Sequence, residues 1–72
     1  MSADDIAERL AALSEELGDL ALDRLREAAA SAGDEGGPDP ALVAQERRLT
    51  RARRAVDKAA AILRGTPPDG DD

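Results

Sequence analysis

Cysteine, histidine and all three aromatic residues are missing from this 72-residue chain. Without Cys there is no disulfide and no thiolate metal site. Without His, the commonest metal ligand and the commonest general base are gone. Phe, Tyr and Trp usually dominate ligand pockets and interface hot spots, and they stack on the bases of single strands. No run approaches the ~18 apolar residues of a membrane span. The opening Met1-Ser2-Ala3-Asp4-Asp5 has neither the basic nor the apolar region of a secretory signal. The sequence therefore predicts no cofactor, no small-molecule substrate, no membrane contact and a cytoplasmic location.

Catalysis has no candidate either. The hydroxyls are Ser2, Ser14, Ser31, Thr50 and Thr66, with no His to activate any of them, and Lys58 is the lone lysine. A nucleophile, a base and an oxyanion site cannot be assembled from this set. The acids Glu15, Asp19 and Asp23 lie four apart on one helical face, beside Glu16. One face of one helix does not converge the six or more oxygens that Ca²⁺ takes, so these read as a solvated acidic face and no metal is expected.

What is present is helix-forming. Ala and Leu dominate the apolar content, and both have high helix propensity. Ser2 followed three residues later by Asp5 approximates a capping box, and the early acids Asp4, Asp5 and Glu8 suit the positive end of a helix dipole. A first helix is predicted over about 3–32, with Gly33 as its stop. Residues 33–39, Gly-Asp-Glu-Gly-Gly-Pro-Asp, are turn-formers. Asp39 before Pro40 is an N-cap with proline at the first helical position, so a second helix is predicted over about 40–64, ending at Gly65. Residues 66–72 hold two prolines, a glycine and three acids and read as a disordered acidic tail.

The first helix carries Ile6, Leu10, Leu13, Leu17 and Leu20 at 4-3-4-3 spacing, the a/d rhythm of a coiled coil. The second carries Leu42, Leu49, Val56 and Leu63, seven apart, with Gln45, Ala52 and Ala59 between. With so short a connection the fold class follows: all-α, a two-helix antiparallel coiled-coil hairpin. Pairing positions whose numbers sum to about 73 sets Leu10 on Leu63, Leu17 on Val56 and Leu20 near Ala52. It also places Asp23 opposite Arg48.

A second row runs beside the leucines: Ala7, Ala11, Ser14, Gly18 and Ala21, continuing through Leu25, Ala28 and Ala32. A mid-helix glycine costs roughly 1 kcal/mol relative to Ala, which close approach by another helix would offset. The apolar arc is then too wide for one partner helix. Chains this short also bury little surface, and oligomerisation is a usual remedy. The row Ala7, Ala11, Ser14, Gly18 and Ala21, with Ile62 at the apolar end of the second helix, is accordingly read as a self-association seam. It would join two hairpins into a homodimeric four-helix bundle.

Charge is divided between the helices. The first holds eight acids and three arginines, a net −5; the second holds seven bases and two acids, a net +5. Two first helices should repel each other, whereas a first-to-second contact should not. Within the second helix Arg47, Arg51, Arg54 and Lys58 form a basic stripe at 4-3-4 spacing. It suits an acidic protein partner or, less well given a chain net charge of −6, the phosphates of a nucleic acid. The leading expectation is a non-enzymatic interaction or adaptor module acting through self-association or a protein partner. The alternatives are a nucleic-acid-associated protein using the arginine stripe and a small accessory subunit of a larger enzyme complex.

Overall fold

A computed structural model of the protein describes residues 1–31 and 37–65. The connection from 32 to 36 and the segment 66–72, which the sequence suggests is a tail, lie outside the described residues. Two helices account for nearly all of the rest: α1, Ala3–Ser31, and α2, Pro40–Arg64. Their limits follow from local chemistry. Ser2 and Asp5 form a reciprocal capping box. The Asp5 amide donates to Ser2 Oγ at 3.2 Å, and the Ser2 amide donates to Asp5 Oδ2 at 3.0 Å. Asp39 caps α2 by accepting the Ala41 amide at 2.9 Å, with Pro40 behind it supplying a φ that suits a helix start. Gly65 ends α2 in the left-handed region, φ +76°, and its amide donates to the Ile62 carbonyl at 3.1 Å.

The helices pack against each other as an antiparallel hairpin. Ser14 meets Asp57 and Gly18 meets Arg53, positions whose numbers sum to 71. This is two residues off the register predicted from the leucines, although Leu20 does lie near Ala52 on the rim of one concavity. The side chains that α2 covers most completely are Ala7, Ser14, Ala21 and Ala28, each seven residues from the next, and on α2 itself Ala60 is buried. Small side chains at every seventh position let two helix backbones come close. Leu10 and Leu17 on α1, and Leu42, Leu49 and Val56 on α2, lie half-buried along the flanks of that contact.

The result is a single layer of helices, with a shortest principal extent of 13 Å. Among the described residues no large side chain is fully buried. A hairpin whose core is four alanines and a serine has little apolar burial to set against the chain entropy that folding costs.

Candidate docking surface

The small-residue row, read from the sequence as the surface offered to another hairpin, sits inside this one. Ala7 is 0% exposed, Ser14 4% and Ala21 7%, all of them covered by α2 of the same chain, while Ala11 and Gly18 are half-buried. Ile62, placed by the sequence at the end of that seam, is 59% exposed. The close approach at Gly18 comes from its own hairpin: a Cβ there would lie 3.2 Å from Nη1 of Arg53. The Arg53 guanidinium lies across the glycine. Asp57, one turn further along α2, accepts a hydrogen bond from the Ser14 hydroxyl. That bond is the only side-chain hydrogen bond between α1 and α2 among the described residues.

With the small row turned inward, larger side chains of α1 are left exposed on both flanks, Leu22 (44% exposed) and Leu25 (45%) on one and a regular row on the other. Ile6, Leu13 and Leu20, again seven apart, are 39%, 50% and 38% exposed. They stand one position before Ala7, Ser14 and Ala21, about 100° round the helix from the seam. Leu13, Leu17 and Leu20 line a shallow concavity rimmed by Glu16, Asp19 and Asp23. Leu20 also belongs to an adjoining concavity with Leu49 and Ala52, rimmed by Arg24, Gln45 and Arg48. Both helices thus present leucines to the same side of the layer. Along α1 the rim carries three acids, Glu16, Asp19 and Asp23, with Arg24, and where α2 borders it the charged residue is Arg48.

The expected Asp23–Arg48 pair does not form within the chain. Asp23 lies 3.9 Å from Arg26 of its own helix, and the other ion pairs are Arg24 with Glu27 and Arg53 with Asp57. Among the described residues every ion pair is therefore intrahelical, and the opposite charges of the two helices are not matched against each other inside the chain.

The basic stripe lies elsewhere on α2. Arg47, Arg51, Arg54 and Lys58 are all exposed, and the three arginines line a third concavity with Glu46 and Thr50. Among the described residues none of the four bases is in an ion pair. No group of three or more potential metal-ligating side chains comes together among the described residues. Each described hydroxyl is held in a hydrogen bond within the hairpin. Ser2 caps α1, Ser14 bonds Asp57, Ser31 donates to the Ala28 carbonyl at 3.0 Å, and Thr50 donates to Glu46 at 2.6 Å. No helix among the described residues is long and apolar enough to cross a membrane.

In comparisons with known proteins, no family model, no curated protein and no solved structure matches this chain.

Proposed function

We propose that this chain is a non-enzymatic helical interaction module, and that it works by docking its open leucine face onto another helical surface, a copy of itself or a protein partner. The observation that carries this reading is the row Ile6, Leu13, Leu20, exposed on the same side of the layer as Leu17 and Leu49. Contiguous exposed leucines of this kind mark interaction sites. Full burial of such a side chain is worth roughly 1.5–3 kcal/mol, so covering one that is already half-buried contributes about 1 kcal/mol. Exposed ion pairs on the rim contribute only a few tenths each. Affinity therefore comes from the leucines, and the charges set orientation. The absence of Cys and His, with each described hydroxyl held in a structural bond, supports a non-enzymatic role.

Thiol reactivity tests the reading, since the chain has no cysteine of its own. Leu13→Cys places a thiol in the open face, and Ala29→Cys places one at an exposed position near the end of α1. In the purified chain the Leu13→Cys thiol should react at least about tenfold more slowly than the Ala29→Cys thiol, with protection that fades on dilution. Equal rates at all concentrations up to about 1 mM would overturn self-docking through this face.

A second reading rests on the concavity lined by Arg47, Arg51 and Arg54, whose charges meet no ion-pair partner among the described residues. If it binds phosphates, duplex DNA or RNA should bind with a steep salt dependence and be lost in Arg47→Ala/Arg51→Ala/Arg54→Ala. No binding at low salt would remove it.

A further inference from the structure

The occupant of the leucine face can be narrowed by charge. We infer that it is a second copy of this chain, docked leucine face to leucine face about a two-fold axis parallel to the helices. In that arrangement α1 of each protomer lies over α2 of the other, and the two C-terminal ends of α1 share one end of a four-helix bundle. The inference rests on the docking reading above and adds the occupant and its orientation.

Two simple two-fold arrangements bring these faces together. An axis across the helices, in the plane between the layers, stacks α1 on α1 and α2 on α2. That sets the acids Glu16 and Asp19 on the α1 rim of one copy against the same acids of the other, and like-charge juxtaposition opposes the contact. An axis along the helices stacks α1 on α2 and sets the acidic residues Glu16, Asp19 and Asp23 of each α1 against the side of the other α2 that carries Arg48. The second arrangement is also the one that matches the charges of α1 against those of α2, which among the described residues no ion pair does inside the chain.

The register supplies the particular pair. An axis along the helices leaves every residue at its own level. Within the hairpin, Ser14 is level with Asp57 and Gly18 with Arg53. By the same rule Asp23 is level with Arg48, and both belong to the rim of the open face. Asp23 of each copy therefore comes beside Arg48 of the other, twice per dimer. The dimer also covers Leu13 and Leu20 of both copies with the side of α2 where Ala52 and Ala59 leave room for them, and brings Ile6 level with the Leu63–Gly65 end.

The test is a mixing experiment with Asp23→Arg and Arg48→Asp. Either variant alone turns two attractions into two repulsions and should weaken self-association roughly tenfold. The heterodimer of the two variants regains both attractions, so an equimolar mixture should return to wild-type affinity. An interaction confined to one chain cannot be rescued in this way. A mixture no tighter than the separate variants would overturn the inference, as would a wild-type chain that does not self-associate. Orientation is read independently by a spin label on Ala29→Cys. Position 29 is twelve residues beyond the middle of α1, so the axis across the helices separates the labels by about 36 Å along the bundle. The arrangement inferred here keeps them within about 30 Å, label arms included, and a longer distance would overturn it. Protection of the Leu13→Cys thiol without rescue, or with the long distance, keeps the docking reading and removes only this inference. Loss of the protection itself removes this inference and self-docking with it, and leaves a protein partner as the occupant of the face.

Discussion

Ala21→Leu discriminates most sharply between a small-residue row that holds the hairpin together and one that serves a second hairpin. Ala21 is 7% exposed at the middle of the α1–α2 contact, in line with Ala7, Ser14 and Ala28. Leucine adds three carbons where the helices already touch. The space can come only from α2 moving away along most of its length, because both elements are stiff helices. Overpacking of this kind costs roughly 1–3 kcal/mol. Leucine is nearly as good a helix former as alanine, so propensity contributes little to the difference. For a domain of this size each kcal/mol moves the midpoint by about 4–8 °C. The expected drop in Tm is therefore roughly 5–20 °C, followed by far-UV circular dichroism at one fixed chain concentration. Ala29→Leu, at an exposed position of the same helix, is the control and should change stability by no more than about 0.5 kcal/mol. An Ala21→Leu chain that melts at or above the wild-type temperature would show that the row does not face α2.

Three further substitutions probe the local chemistry. Gly18→Ala should raise Tm by several degrees. It recovers roughly 1 kcal/mol of helix propensity, and the group 3.2 Å from the new methyl is the far end of the half-exposed Arg53 side chain, which can swing aside. A lower Tm would mean that the guanidinium is fixed over the glycine. Gly65→Ala should cost about 1 kcal/mol in a thermal melt, since its φ of +76° suits no side chain; an unchanged Tm would refute the left-handed cap. Asp39→Ala should cost about 1 kcal/mol by removing the acceptor of the Ala41 amide, with Asp39→Asn retaining most of the stability.

The helices and their ends were legible in the sequence because caps are local chemistry. Ser2 with Asp5, Asp39 before Pro40, and Gly65 each act through bonds to residues no more than four positions away. Which row faces inward was not legible in the same way. Ile6, Leu13 and Leu20 are immediate neighbours of Ala7, Ser14 and Ala21, so the two candidate seams differ by one position on the helix. Reading by apolar size assigns the interior to the leucines. The structure assigns it to the alanines, because close backbone approach at Ala7, Ser14, Ala21, Ala28 and Ala60 seats Leu10, Leu17, Leu49 and Val56 along the flanks. A signal was present: Ala7, Ser14, Ala21 and Ala28 repeat every seven residues without exception, which filler alanines on a solvated helix have no reason to do. The same shift moves Gly18 from a supposed contact between hairpins to a seat for Arg53. It leaves the leucines, core by their spacing alone, as the surface that needs covering.

The central claim is that the hairpin is incomplete alone and is completed through its leucine face. Its most direct test is to follow mass and helicity together on dilution. Light scattering would use refractive-index detection, because the chain has no Trp or Tyr, and far-UV circular dichroism would be recorded on the same samples. With a chain of 7.5 kDa, the mass should fall from that of two chains to that of one, and helicity should fall with it. A monomer that keeps full helicity at every concentration would contradict the claim.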